Sequence, residues 1–212
     1  MNNLFETTSR IIFLNTKNRN PGKLKSLVVR EKPTRFLLIA IELFRAIDGK
    51  SIVEIGCMRK PLTHPIAEVH RCCTDGHSTY LWCTTGAQVT SVDISQEAVE
   101  VARKSCEKFD NCTVIQDDAL NFLKQFPGPI DLLYLDGWDI VKNSPYAENH
   151  LLAYELAKPK LSPVNIIAID DTDINHGGKG RLLVPALKAD GYQILVQGRQ
   201  TIAIKVENEW GL

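Results

Sequence analysis

Apolar residues recur along this chain in two rhythms, and the alternation between them lays out the elements. Short, nearly continuous apolar runs cover Ser51–Gly56, Gln88–Asp93, Thr113–Gln116, Ile130–Leu135 and Asn165–Asp170. Runs of this length, rich in Ile, Val and Leu and bounded by turn residues, read as buried strands of a parallel sheet. Between them the apolar positions fall at helical spacing: Arg35–Arg45, Thr79–Thr85, the stretch after Ser95, Ala119–Gln125, Tyr146–Lys158 and Arg181–Lys188. Thr34 and Ser95 stand where N-caps belong, and Asp48-Gly49 ends the first helix. The helix after Ser95 has Glu97 and Glu100 early and Arg103, Lys104 and Lys108 late, which suits its dipole. Two final runs, Tyr192–Gln197 and Thr201–Val206, flank Gly198-Arg199, which reads as a two-residue hairpin turn.

Five strands that alternate with helices, followed by a hairpin, predict an α/β fold. The sheet is doubly wound and Rossmann-like, with five parallel-type strands and a C-terminal antiparallel β-hairpin. Residues 1–49 read as an N-terminal helical extension and substrate cover, residues 50–212 as the main domain, and 57–75 as an irregular insert.

Composition changes this picture little. The chain has 212 residues, 44% hydrophobic and 24% charged, with no net charge, which are ordinary globular values. No global field therefore points to nucleic acid, although the N-terminal segment is locally basic. Residues 1–35 carry eight basic side chains (Arg10, Lys17, Arg19, Lys23, Lys25, Arg30, Lys32 and Arg35) against Glu6 and Glu31. Such runs are usually solvated faces. No apolar run approaches the roughly 20 residues of a membrane span. The start, Met1-Asn2-Asn3-Leu4-Phe5-Glu6, lacks the pattern of a signal peptide, so the expectation is a cytoplasmic protein with reduced thiols. The apolar helix before the first strand offers a face for pairing in a homodimer.

Candidate chemistry gathers at the carboxyl ends of the strands, where open α/β sheets bind ligands. The fourth run ends in Asp136-Gly137-Trp138-Asp139 and the fifth in Asp170-Asp171. If those strands are neighbours, several carboxylates converge, and they repel unless a cation or bound proton offsets them. Clustered carboxylates with open positions suit Mg²⁺. Gly56 at the end of the first strand allows close approach to the backbone. Asp93, after the second, is placed to accept hydrogen bonds from a ribose diol. Gly76-His77-Ser78-Thr79 offers a helix N-terminus to an anionic group. The dinucleotide fingerprint G-x-G-x-x-G and the P-loop pattern are both missing. His176-Gly177-Gly178-Lys179-Gly180-Arg181 follows the acid pair; it could bind an anionic substrate group, or cap the last helix and balance the acids. The insert holds His64, His70, Cys72 and Cys73 between Cys57 and His77, residue types that bind zinc, but without a repeated C-x-x-C pair.

Taken in order, Glu54-Ile55-Gly56, Gly76-His77-Ser78-Thr79, Ser91-Val92-Asp93, Gln116-Asp117-Asp118-Ala119 and Asp131–Gly137 resemble the successive motifs of class I S-adenosylmethionine-dependent methyltransferases. The resemblance spans about residues 50–206. It implies S-adenosylmethionine as cofactor, held by Glu54, Gly56, Gly76, His77, Ser78, Asp93, Asp118 and Asp136. Asp93 would hold the ribose, and Asp118 would face the adenine. Leu135-Asp136-Gly137-Trp138-Asp139 resembles the corresponding loop of metal-dependent O-methyltransferases of the catechol and macrocin types. That resemblance implies Mg²⁺ on Asp136, Asp170 and Asp171, with a small hydroxylated sugar or phenol as acceptor. Asp139 becomes the candidate base, with Lys142, His150 and His176 as rivals, and Trp138 could stack on a planar acceptor or plug the core. A metal-independent methyltransferase and a non-catalytic binding protein on the same fold are the alternatives.

Overall fold

A computed structural model describes residues 33–62, 77–174 and 176–206. Its elements run α1 (Pro33–Ala46), β1 (Ser51–Ile55), α2 (Ser78–Cys83), β2 (Gln88–Asp93), α3 (Gln96–Cys106), β3 (Cys112–Gln116), α4 (Ala119–Gln125), β4 (Ile130–Leu135), α5 (Tyr146–Ala157), β5 (Leu161–Ile169), α6 (Leu183–Ala189), β6 (Gln193–Gln197) and β7 (Thr201–Lys205). Single 3₁₀ turns cover Lys158–Lys160 and Gly178–Gly180.

The strands form one sheet in the order β3-β2-β1-β4-β5-β7-β6. Neighbours from β3 through β5 are parallel, and β7 pairs antiparallel with both β5 and β6. The doubly wound sheet with its closing hairpin is thus the one expected. Parallel strands covered on both faces have no polar side to show, which is why Ile52, Val53, Leu132, Leu133, Ile166 and Ile167 are all fully buried. The core lies in two layers. On one face, α1, α2 and α3 bring Phe36, Leu37, Leu43, Trp82, Val99 and Ala102 onto the sheet. On the other, α4, α5 and α6 bring Leu123, Ala153, Tyr154, Leu183 and Leu187. The apolar face of α1 therefore packs on its own sheet.

Three local expectations are corrected. Helix α1 already includes Pro33 and Thr34, so Thr34 is a buried first-turn residue instead of a cap. Proline's fixed φ is compatible with that first turn. Strand β5 begins at Leu161, four residues before the expected Asn165. The hairpin loop has three residues, because Gln197 pairs with Thr201 and leaves Gly198, Arg199 and Gln200 between them. Its third residue, Gln200, is fully buried. A side chain drawn into the interior cannot be recognised in a turn from local sequence.

Two polar side chains, Asp131 and Ser95, behave as ordinary supports. Asp131 accepts the backbone N–H groups of Lys50 (2.7 Å) and Ser51 (2.9 Å), tying β4 to the start of β1. Ser95 caps α3 as expected, accepting the Ala98 N–H at 3.3 Å.

Candidate active site

Strand order reverses at β1, whose neighbours β2 and β4 lie on opposite sides. Connections leave in opposite directions at such a point and open a crevice beyond the carboxyl ends. A cleft of about 350 Å³ occupies that place, with Gly56, Asp93, Asp118, Asp136 and Asp139 on its walls. Four of the residues expected at the cofactor therefore share one cavity with the candidate base.

Backbone geometry explains the first wall. Gly56 has φ 94°, and a Cβ there would lie 2.8 Å from the carbonyl carbon of Asp136. Only glycine lets the ends of β1 and β4 approach this closely. Asp93 is held by two backbone donors: Cys57 N–H reaches one carboxylate oxygen at 3.0 Å and Ser95 N–H the other at 2.8 Å. Asp118 caps α4 by accepting the Asn121 N–H at 2.9 Å.

Glu54, expected at the cofactor, lies in the interior and is not among the cleft's lining residues. Its carboxylate accepts hydrogen bonds from Thr79 Oγ1 (2.6 Å), Trp82 Nε1 (3.1 Å) and the Ser91 hydroxyl. Burial pushes its pKa up to about 7, against the pull of the Ser78, Ser91 and Thr79 hydroxyls. His77 and Ser78 are also buried; His77 enters α2 with φ 50°. Gly76 lies outside the described residues, as do His64, His70, Cys72 and Cys73 of the insert.

The acids expected to converge do so. Asp170 donates its N–H to Leu135 O (3.1 Å), which sets the end of β5 beside that of β4. Each of Asp136, Asp170 and Asp171 then offers a carboxylate oxygen, all within 4.8 Å of one another. Into this trio reaches Lys179. Its Nζ lies 2.5 Å from Asp136 Oδ1, 3.0 Å from Asp136 O and 3.6 Å from Asp171 Oδ2, and the side chain is 1% exposed. Arg199 approaches from the hairpin loop, 3.6 Å from Asp170 and 3.7 Å from Asp171. Gln200 Nε2 donates to Asp170 Oδ1 (2.8 Å) and to the Tyr134 hydroxyl (3.0 Å).

The charges of this group are strongly interdependent. Burial, then the neighbouring Asp170, raises the Asp136 carboxyl well above its ordinary range, and Lys179 opposes both. Burial alone would favour a neutral amine at Lys179; the charge and hydrogen bond of Asp136 outweigh it and raise its pKa. The balancing role weighed for the glycine-rich segment thus falls to Lys179. The parts played by Arg199, Gln200 and Tyr134 were not anticipated; a cation in a turn is too common a pattern to mark a site.

The candidate bases separate into different surroundings. Asp139 is 62% exposed and pairs with Arg59 at 3.1 Å on the cleft's edge. Lys142 and His176 line a second, larger cavity of about 700 Å³ with Tyr146, Glu148 and Arg181. His150 is fully buried, its Nδ1 2.6 Å from Tyr146 O. Burial pushes its pKa down to about 3, so it stays neutral at physiological pH. Trp138 packs edge-on against His150, with ring centroids 5.2 Å apart.

Known proteins share this fold. Residues 73–172 match the family model described as a methyltransferase domain. No curated protein is detectably similar in sequence. Among solved structures, an O-methyltransferase from Bacillus cereus in complex with SAH is 17% identical, with a TM-score of 0.58 over 95% of this chain and 91% of that one. The SAH-bound Podospora anserina methyltransferase PaMTH1 is also 17% identical, with a TM-score of 0.58 over 98% of this chain and 88% of its own. The O-methyltransferase NovP is 13% identical, with a TM-score of 0.58 over 82% and 80%. No helix among the described residues is long and apolar enough to cross a membrane.

Proposed function

We propose that this chain, part of which matches a methyltransferase domain model and whose fold is that of solved methyltransferases, transfers a methyl group from S-adenosylmethionine to a hydroxyl of a small substrate. One observation carries this reading. The cleft at the switch point joins the expected cofactor residues, Gly56, Asp93 and Asp118, to Asp136, the first member of the acidic trio. A nucleoside bound at Asp93 and Asp118 would direct its sulfonium end toward that trio. In the reaction the bond from methyl carbon to sulfur breaks as the bond to the acceptor oxygen forms. Sulfur keeps the electron pair, and the hydroxyl proton leaves to a base. Asp139, on the cleft's edge, is the nearest candidate for that proton, and Lys142 and His176 face the second cavity, where an acceptor could lie. Placement of donor and acceptor supplies most of the catalysis available without covalent participation of the protein.

The Mg²⁺ expected from sequence would use Asp136, Asp170 and Asp171, whose donor chemistry suits a hard cation that activates a hydroxyl. Against that stands the position of Lys179. Mg²⁺ needs oxygens at about 2.0–2.1 Å, and Asp136 Oδ1 already holds an ammonium at contact distance. The trio as built does not fit the ion with Lys179 in place. Sulfonium-to-hydroxyl transfer is the reading with either cation.

Isothermal calorimetry with S-adenosylhomocysteine tests the cofactor. Binding is expected, weakened at least tenfold by Asp93→Ala, equivalent to about 1.4 kcal/mol. No heat at millimolar ligand would end the enzyme reading.

A further inference from the structure

The disagreement over the cation is itself informative. Lysine is almost never fully buried unless paired, and Lys179 is carried to its place by a backbone built for it. Gly178, just before it, has φ 49°, and a Cβ there would lie 1.8 Å from Asp171 O. Gly180, just after it, leaves room for Thr172 and Val184; a Cβ would meet their Cγ2 atoms at 2.9 and 3.0 Å. Lys179's own N–H faces Asp171 O at 3.3 Å. Gly178 thus lets the turn lie against Asp171 and Gly180 lets it lie against Thr172 and Val184, and from that turn the Lys179 side chain runs into the trio.

Charge accounting agrees. Among the described residues, three carboxylates meet two cations, Lys179 and Arg199, which leaves one negative charge. Adding a divalent ion would reverse the sign and set two cations on Asp136 at once. Removing Lys179 would leave Arg199 as the trio's one cation among the described residues, and three acids within 4.8 Å would then present an ordinary hard-cation site.

We propose that Lys179 is the resident cation of the acidic trio, taking the position a divalent metal would need, so that methyl transfer runs without one. The inference rests on the methyltransferase reading above. In the reaction Lys179 exchanges neither proton nor electron pair. It holds Asp136 and Asp171 together by charge and is a positioning residue.

The test is Mn²⁺ titration of metal-free protein with S-adenosylhomocysteine present, reading free Mn²⁺ by electron paramagnetic resonance. Wild type and Lys179→Arg should leave Mn²⁺ free at millimolar concentration. Lys179→Met should take up one ion per chain, with affinity at least 100-fold above wild type, and should lose it again when Asp136→Ala is added. A merely structural lysine would not produce that gain. Stoichiometric, Asp136-dependent uptake by wild type would overturn the proposal, whether or not the Lys179→Met chain folds. Folded Lys179→Met that takes up no more ion than wild type would overturn it as well. Failure of the methyltransferase reading would appear separately, as absence of calorimetric heat with S-adenosylhomocysteine.

Discussion

Replacing Glu54 by Gln separates two roles that the sequence could not, cofactor contact and internal strut. Its carboxyl is fully buried and titrates near 7, against an ordinary value of 4.5. Folded protein therefore holds the proton more tightly than unfolded protein does. The sign follows: Glu54's contribution is fully present below pH 4.5 and is lost as pH rises through 7. The gap corresponds to about 3 kcal/mol, at 1.36 kcal/mol per pH unit. Glutamine can keep its carbonyl toward Trp82 Nε1 and turn its amide toward the Thr79 and Ser91 hydroxyls, which can accept as well as donate. Glu54→Gln should therefore fold, gain stability relative to wild type as pH rises from 5 to 8, and bind S-adenosylhomocysteine unchanged. Urea denaturation at several pH values reads the first two outcomes and calorimetry the third. Asp136 also titrates high and adds to the absolute pH slope, so the quantity to compare is the wild-type minus variant difference. A difference that stays flat with pH would refute the argument from burial. A tenfold loss of cofactor affinity would return Glu54 to the cofactor site.

Two further outcomes follow from the same geometry. Gly56→Ala places a Cβ 2.8 Å from the Asp136 carbonyl carbon at a positive φ; strain of about 1–3 kcal/mol should part β1 from β4 and weaken S-adenosylhomocysteine at least tenfold by calorimetry, and unchanged affinity would contradict the close-approach role. Gln200→Leu removes buried donors from Tyr134 and Asp170; at about 1–3 kcal/mol for groups left unsatisfied the melting temperature should fall by several degrees, and an unaltered melting curve would show that water or Arg199 replaces the amide.

Strands were legible because parallel strands buried on both faces write themselves as uninterrupted apolar runs, and Ile130–Leu135 and Gln88–Asp93 have the expected bounds. Acids at strand ends were legible for the same reason: a carboxylate that closes an apolar run stands out. Strand β5 was read short because Ser162 and Pro163 look like turn residues. The polarity of Ser162 is absorbed by a distant partner, Asp131. Glu54 was assigned to the cofactor by the motif resemblance, and the strand pattern alone does not say whether its carboxylate meets solvent or three buried donors. Lys179 and Gln200 are the hardest cases. Both sit in turn-like segments, and their burial depends on acids that lie 43 and 30 residues away.

That dependence has a physical reason. Three carboxylates at 4.8 Å repel by about 3 kcal/mol per pair at an effective dielectric constant near 20, so β4 and β5 alone cannot hold the trio ionised. The counter-charges come from later in the chain, Lys179 from the turn before α6 and Arg199 from the loop that joins β6 to β7. Strand β7 pairs with β5 along Ile169–Asn165 and brings its loop over the same acids. The C-terminal hairpin thus does more than extend the sheet. It places a cation and an amide donor over acids that the parallel strands had already assembled.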